Sequence, residues 1–157
     1  MKIGLISVGK LSQPFLRDGV AEYAGRLKRY IAFNSHELKE AKSGSKADPK
    51  VIRQQEGERI LARVPAGAYL VALDERGRNY GSEELSEFLG RHMLQGTGEL
   101  LFAIGGAYGL DPAVKERANL LLSLSSLTLT HQMAQLLLLE QLYRGFTILR
   151  NEPYHNR

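Results

Sequence analysis

Short apolar runs of strand length alternate with helical patterns along the whole chain, and this alternation restricts the folds that the chain can adopt. The predicted strands at residues 2–8, 68–73, 99–104 and 120–123 are nearly unbroken apolar runs, and a further predicted strand at residues 33–39 alternates. Predicted helices lie at residues 13–30, 48–64 and 82–94, with a short one after Asp111 and a long one from His131. This order predicts an α/β fold with a mostly parallel sheet of five or six strands and helices on both faces.

Local signals support several of these boundaries. Asp48 and Asp111 each stand directly before a proline, an arrangement typical of the start of a helix. Ser82 is predicted to cap the third helix, whose first turn carries acidic residues as the helix dipole prefers. Residues Asp74 to Arg78 are predicted to form a turn after the third strand.

The composition limits the chemistry that the chain can carry. It has 157 residues, 43% of them hydrophobic, with no Cys, four His and a net charge of +4. One domain covering residues 1–157 is therefore expected. The lack of Cys excludes disulfides and thiolate chemistry, and four scattered His predict no metal site. The N-terminus lacks the apolar length of a signal peptide, so we expect a cytoplasmic protein.

Three predicted loops follow the carboxyl ends of strands, where open parallel sheets bind their ligands. They cover residues 73–74, 105–110 and 124–129. Gly105, Gly106 and Gly109 allow close approach to the backbone. Their spacing differs from the dinucleotide-binding fingerprint, and no Lys-Ser or Lys-Thr pair follows them as in a P-loop.

Residues 124–129 combine Leu with small hydroxyl side chains. Leu124, Leu127 and Leu129 offer apolar contacts, while the backbone around the Ser and Thr residues keeps hydrogen-bonding groups free. This combination suits an adenine-like ring, which needs an apolar slot and a few backbone hydrogen bonds. The alternative is a half-buried strand with Ser and Thr facing water, and composition alone favours that alternative.

The long helix from His131 is apolar around nearly its whole circumference. Gln135, Glu140, Gln141 and Arg144 interrupt it and exclude a membrane span. A helix of this kind must be covered on more than one side, and a single sheet covers one face. We therefore expect a homodimer in which a second subunit covers the other face through a two-fold interface.

Basic residues concentrate between residues 39 and 53, in a stretch that also contains Gly, Ser and Pro. They are Lys39, Lys42, Lys46, Lys50 and Arg53. A mobile, solvated loop and a flexible arm on a phosphate backbone explain this pattern about equally well. The positive net charge permits a nucleic-acid partner without requiring one.

Four motifs, taken in order, resemble the family of ribosomal RNA large subunit methyltransferase H, which belongs to the SPOUT, or trefoil-knotted, methyltransferases. They are I-G-G-A-Y-G-L at residues 104–110, S-L-S-S-L-T-L-T-H-Q-M at 123–133, E-Q-L-Y-R at 140–144 and P-Y-H at 153–155. V-G-K at 8–10, K-x-G at 42–44 and L-D-E-R-G at 73–77 extend the resemblance over essentially the whole chain.

The resemblance implies a C-terminal trefoil knot, which no pattern rule predicts because knots are almost absent from proteins. It implies that S-adenosylmethionine binds in the knot and that the chain dimerises through its C-terminal helix. The implied cofactor contacts are Leu73, Gly105, Leu124, Ser125, Ser126, Leu127, Thr128 and Leu129. It further implies methylation of N3 of a pseudouridine in 23S rRNA of the large subunit, within assembled ribosomes and without a metal.

The same resemblance points to a catalytic group near the C-terminus. Arg144 is expected to stabilise a phosphate or a developing anion, Tyr154 to stack on or position the base, and His155 to act as the base or to orient it. His131 is expected either to meet the ligand or to cap its helix. Glu140 is expected either to pair with a basic group across the dimer or to support the catalytic residues.

The chain departs from the family pattern at two positions. Gln135 stands where Arg is usual, so a contact to RNA or to an acidic partner there would lose its charge. Gly145 stands where Ala is more frequent, which slightly weakens the helix.

Two other functions are compatible with the residues: a non-catalytic ribosome- or RNA-binding protein with the same fold, and a flavodoxin-like nucleotide-binding domain. Binding of S-adenosylmethionine would separate the enzyme from a pure RNA binder.

Overall fold

Ten helices and strands alternate in the computed structural model, which describes residues 1–41 and 48–156. The strands are β1 (Lys2–Val8), β2 (Ala32–Leu38), β3 (Tyr69–Asn79), β4 (Glu99–Ile104) and β5 (Leu120–Ser123). The helices are α1 (Pro14–Leu27), α2 (Pro49–Leu61), α3 (Ser82–Leu94), α4 (Pro112–Arg117) and α5 (His131–Leu149). The predicted order of elements is confirmed.

The described strands form one five-stranded sheet with the order β2-β1-β4-β3-β5, and every pair of neighbours is parallel. The predicted α/β class and the parallel sheet are therefore confirmed. Strands β1 and β4 lie inside the sheet and are apolar on both faces, as the interior of a parallel sheet requires. The trefoil knot is compatible with this topology and stays a prediction.

Helices cover both faces of the sheet. On one face α5 lies between α1 and α3 and packs with both of them. Its buried apolar side chains join those of the strands in one core, with Leu138, Leu139, Leu142 and Phe146 at 0–2% exposure. On the other face α2 and α4 cover a smaller core that includes Ile60 and Val114.

The close packing of α5 against α3 gives a physical reason for Gly145. A Cβ atom there would lie 2.8 Å from Leu89 Cδ1, and the Ser86 hydroxyl donates a 2.9 Å hydrogen bond to the Gly145 carbonyl. A glycine inside a helix costs about 1 kcal/mol relative to alanine, and this close approach offsets part of that cost.

Gln135 is 3% exposed, so its side chain is buried within the chain and does not lie on an outer surface.

Two local predictions are wrong. Asp74 to Arg78 is part of β3 and not a turn after it, because β3 continues along β5 to Asn79. Leu73 and Arg78 both pair with Leu122, so the residues between them bulge out of register. Ser82 is the first residue of α3 and not its cap. Gly81 takes that position, and its N–H donates to a Glu84 carboxylate oxygen at 3.2 Å.

Within residues 1–41 and 48–156, none of the helices combines the length and apolar character needed to cross a membrane. The same residues contain no group of three or more His, Asp or Glu side chains that could hold a metal ion.

Candidate active site

Two of the three predicted loops, at residues 105–110 and 124–129, meet in one cleft of about 920 Å³ at the carboxyl ends of β4 and β5. Residues 73–74, predicted as the third loop, also line the cleft, but they lie within β3 at its bulge. This volume lies in the range of small-molecule sites, which are typically a few hundred to about 1,000 Å³. The wall is mixed: leucines and glycine backbone lie beside a few polar and charged side chains. The cleft is therefore built to bind an amphipathic small molecule.

The glycine loop after β4 turns tightly on its own backbone. Gly109 has a φ of +81°, which favours glycine, and it pairs with Gly106 through an isolated bridge. A Cβ atom on Gly105 would lie 2.6 Å from the Gly109 carbonyl carbon. Any side chain at Gly105 therefore forces the loop open, and the loop keeps its backbone accessible to a ligand.

The segment between β5 and α5 is a loop held by its own hydroxyl groups. The Ser123 hydroxyl donates to the Ser125 carbonyl, and the Leu127 N–H donates to the Ser125 hydroxyl, both at 2.9 Å. The Thr128 hydroxyl donates to Glu75 at 3.2 Å and ties the loop to β3. The half-buried strand that composition favours is therefore wrong, because these side-chain bonds replace the pairing of a strand.

Seven of the eight predicted cofactor contacts line the cleft: Leu73, Gly105, Leu124, Ser125, Leu127, Thr128 and Leu129. Ser126 is exposed and does not line it. Leu127 is 75% exposed, which leaves an apolar side chain free to close over a ligand. The assignment of these residues to a cofactor stays a prediction.

Sequence reasoning missed an ion pair in the wall of the cleft. Lys115 Nζ lies 2.8 Å from Asp74 Oδ2, although the two residues belong to different elements. Burial opposes ionisation of Asp74, but the hydrogen bonds from Lys115 and from the Arg76 N–H outweigh it and lower the pKa of the carboxyl. Asp74 is therefore a carboxylate that links β3 to Lys115 of α4 in the wall of the cleft. No spacing signal links the two positions.

Two polar atoms beside the cleft are buried without a hydrogen-bond partner among the described residues. They are Oε1 of Glu56 and Nε2 of His131. Thr130 caps α5 by accepting from the Met133 N–H at 3.1 Å, so the capping role considered for His131 is wrong. His131 lines the cleft instead. Glu56 gave no sequence signal, because its burial arises from tertiary packing.

The three predicted catalytic residues come together around Glu140. Its Oε1 atom accepts from Arg144 Nη2 at 2.6 Å, from Arg144 Nε at 3.1 Å and from the Tyr154 hydroxyl at 2.9 Å. Arg144 Nη1 donates to His155 Nδ1 at 3.1 Å, and the Arg144 guanidinium lies 4.7 Å from the Tyr154 ring centre. We call Glu140, Arg144, Tyr154 and His155 the tail cluster. Glu140 thus pairs within its own chain.

The environment of the tail cluster keeps two of its members protonated. The hydrogen bond to Glu140 raises the pKa of the Arg144 guanidinium above its ordinary value. Burial, with hydrogen bonds to Tyr23 and Glu140, raises the pKa of the Tyr154 phenol well above its ordinary value. Arg144 is therefore a permanent cation, and Tyr154 is a neutral hydrogen-bond donor at physiological pH.

None of the tail-cluster residues lines the cleft. The cleft touches the first turn of α5 at His131, whereas Arg144 lies more than three turns further along the same helix. An α-helix rises about 1.5 Å per residue, so the two positions are roughly 20 Å apart along α5. Within one chain, the cleft and the tail cluster therefore cannot act on the same atom.

The basic stretch is only partly described. Lys42 and Lys46 lie outside the described residues. Arg53 lines the cleft, and the Lys39 carbonyl accepts a 2.8 Å hydrogen bond from Arg59. The two interpretations of this stretch, a solvated loop and a flexible arm on a phosphate backbone, both stay open.

Comparison with known proteins agrees with this architecture. A family model described as a predicted SPOUT methyltransferase matches residues 1–155. The chain belongs to the SPOUT methyltransferase family. Ribosomal RNA large subunit methyltransferase H of Syntrophotalea carbinolica is 60% identical over 157 residues, covering 100% of both chains. The protein of the same name from Trichlorobacter lovleyi is 47% identical over 156 residues, covering 99% of this chain and 100% of the relative.

A solved structure has the same fold at low sequence similarity. A probable methylase family protein from Haemophilus influenzae Rd KW20 aligns with a TM-score of 0.55 and 15% identity, over 99% of this chain and 70% of that one. The match to the SPOUT family, and not this structural likeness, makes the chain a methyltransferase, with S-adenosylmethionine as its methyl donor.

The cleft fits this donor by the chemistry of its wall. Leucines in the loop after β5 provide an apolar slot, and the glycine loop after β4 provides backbone without side chains. The adenine ring of S-adenosylmethionine suits the apolar slot. Its charged amino-acid end suits polar groups such as those at the start of α5. The SPOUT family and the geometry of the cleft therefore agree.

Proposed function

We propose that this SPOUT methyltransferase adds a methyl group to N3 of a pseudouridine in 23S rRNA of the large ribosomal subunit, within assembled ribosomes. The observation that carries the proposal is that seven of eight predicted cofactor contacts line one cleft. Relatives named ribosomal RNA large subunit methyltransferase H, which match along their full length, support the RNA substrate. A ribosomal substrate implies a cytoplasmic protein, and we infer from the single sheet that residues 1–157 act as one domain.

The bound donor supplies an activated sulfonium methyl group, so no covalent enzyme intermediate and no metal is required. The task of the protein is positional: it must hold N3 of the base in line with the methyl carbon. Leu124, Leu127 and Leu129 would hold the adenine ring, and the backbone at Leu73 and Gly105 would hold its polar edge.

Arg144 is the group best suited to stabilise charge on the base. The N3 proton is weakly acidic, and its loss places negative charge on the imide. Arg144 is held by two hydrogen bonds to Glu140 and remains cationic. Tyr154 is half-buried beside it and can position the base by stacking or through its hydroxyl.

His155 must change its hydrogen bonds before it can act as the base. An arginine only donates, so His155 Nδ1 accepts from Arg144 in the structure, and a neutral ring then carries its proton on Nε2. Nε2 lies 3.8 Å from Glu83. We infer that His155 orients Arg144 in this arrangement and accepts a proton only when the substrate displaces that bond.

We also propose that a homodimer completes the site. The cleft and the tail cluster of one chain are roughly 20 Å apart along α5. The outer face of α5 carries half-buried apolar side chains, among them Met133, Leu137 and Ile148. An isologous two-fold contact between these faces would bring the tail cluster of one subunit to the cleft of the other.

The test is transfer of isotope-labelled methyl from S-adenosylmethionine to whole ribosomes or to naked rRNA, both lacking this modification. We expect label at one pseudouridine of 23S rRNA, with ribosomes and not with naked RNA. Binding of the donor without label on either substrate would refute the RNA target. Label on naked rRNA alone would refute the requirement for an assembled ribosome.

A further inference from the structure

The C-terminal tail turns back on itself directly after α5. Asn151 has a φ of +54°, in the left-handed region that asparagine tolerates better than most residues. Its N–H donates to the Ile148 carbonyl at 3.1 Å, and the Glu152 N–H donates to the Thr147 carbonyl at 2.9 Å. These two bonds form a Schellman motif, a common way to end a helix and redirect the chain. Glu152 therefore leaves α5 from a fixed backbone position.

Tyr30, which follows α1, holds the side chain of Glu152. Its hydroxyl donates a hydrogen bond to Glu152 Oε2, although 122 positions separate the two residues in sequence. The Tyr30 ring stacks on Phe146 of α5, with 5.8 Å between the ring centres and 14° between the planes. The Arg150 guanidinium lies 5.0 Å from the centre of the same ring. The ring is thus held by the C-terminal end of α5, and its hydroxyl is held with it.

Glu152 connects this hydrogen bond to the tail cluster. Its carbonyl accepts the Tyr154 N–H at 2.9 Å, so Glu152 contacts Tyr30 by its side chain and Tyr154 by its backbone. The Tyr154 hydroxyl in turn donates to Glu140 at 2.9 Å. Tyr143 contacts both phenol rings, because its ring centre lies 6.1 Å from that of Tyr30 and 4.7 Å from that of Tyr154. Displacement of Glu152 would therefore displace Tyr154.

The tail is exposed where it leaves α5. Asn151, Glu152 and Pro153 are all exposed, and exposed segments with few buried contacts open at a low cost in free energy. The Tyr30 phenol stays able to donate, because its hydrogen bond to Glu152 and its burial raise its pKa to about 12. Neither Tyr30 nor Glu152 belongs to the motifs of the family resemblance, and neither lines the cleft. The proposed methyl transfer gives them no role.

We propose that Tyr30 and Glu152 are positioning residues, which hold the C-terminal tail so that Tyr154 and His155 reach the substrate base. The proposal rests on the methyl transfer proposed above, in which these two tail residues act on the base. Neither positioning residue touches the base or the donor. Methyl transfer depends steeply on the placement of the groups around the reacting atoms. Only chains with the tail in place are competent, so loss of the hydrogen bond lowers the competent fraction.

Three substitutions at the two residues test this role. Tyr30→Phe removes the hydroxyl and keeps the ring on Phe146, whereas Glu152→Ala removes the acceptor. We expect each to lower kcat for methyl transfer to ribosomes at least threefold, with KM and the calorimetric donor affinity within about twofold. Glu152→Gln should keep most of the activity, since its amide oxygen can still accept from Tyr30. Tyr69→Phe, at the start of β3, is the control and should leave kcat unchanged.

Two further measurements show whether the two residues act through one contact. The double variant Tyr30→Phe/Glu152→Ala should be no slower than the slower single variant, because both substitutions remove the same hydrogen bond. Trypsin cleavage after Arg150 reports opening of the tail, and Tyr30→Phe leaves the cleavage site unchanged. Its cleavage rate should rise about three- to tenfold, as expected for one lost hydrogen bond. Tyr69→Phe should be cleaved as wild type is.

Unchanged kcat in both single variants, or losses that multiply in the double variant, would overturn the proposal. A rise in KM alone would also overturn it, and an equal loss of donor affinity would make the pair a part of the fold. If Tyr30→Phe fails to unfold cooperatively on heating, the exposed Glu152 decides by comparing its Ala and Gln variants. A wild-type protein that transfers no methyl group would instead refute the proposed function. The trypsin assay would then still decide whether Tyr30 holds the tail.

Discussion

The dimeric active site makes a quantitative prediction about mixed dimers. Ser125→Trp fills the cleft and should abolish donor binding, while Arg144→Ala removes the cation of the tail cluster. Each homodimer should be inactive. In a heterodimer of the two variants, the intact cleft of the Arg144 variant faces the intact tail cluster of its partner. One of the two sites is then complete, so activity per dimer should be about half that of wild type.

The assay uses co-expressed subunits with different tags, tandem purification of the heterodimer and labelled methyl transfer to ribosomes. The control is a heterodimer of wild type with a chain carrying both substitutions. Shared sites leave no complete pair in this control, so it should be inactive. Sites built within one chain would reverse both results: the control would keep about half the activity and the first heterodimer none. That reversal would refute the dimeric site.

Three further substitutions test the cleft and the tail. Gly105→Ala should weaken donor binding at least tenfold, because its Cβ would meet the Gly109 backbone at 2.6 Å; Gly98→Ala, which meets open space, is the calorimetric control. Ser126→Trp should leave donor affinity unchanged, since Ser126 is exposed outside the cleft, and a large loss would place it in the site. Truncation before Pro153 should abolish methyl transfer but spare donor binding by calorimetry; loss of both would make the tail a structural element.

The alternation of elements was predictable because most strands begin as apolar runs, β2 alternates, and several helices have start signals such as Asp48-Pro49 and Asp111-Pro112. The ligand cleft was predictable for a related reason: parallel strands place their carboxyl ends at one edge, so loops far apart in sequence must meet there. The extent of β3 was not predictable. Asp74 to Arg78 is polar and contains Gly, which favours a turn locally, and its pairing with β5 is a tertiary effect.

Glu56 and Ser126 show where sequence reasoning failed at the site. A glutamate in a helix is normally exposed, and only the packing of α2 beneath the glycine loop buries Glu56. Ser126 shares its motif with Ser125, yet the hydroxyl-held loop turns one of the two neighbours into the cleft and the other to solvent. A motif identifies the segment, whereas hydrogen bonds within the loop decide which side chains face the ligand.

Helix α5 explains why the predicted residues divide into two groups. Its first turn belongs to the cleft, and its fourth turn carries Arg144 of the tail cluster. The helix between them is fixed by a buried face, packed between α1 and α3, and by the close contact of Gly145 with Leu89. A straight helix of this length cannot bring the cleft and the tail cluster of one chain together without losing its packing against α1 and α3. If both groups serve one reaction, the separation must be closed by a second chain. The outer face of α5, left with half-buried leucines, is then the surface where that chain binds.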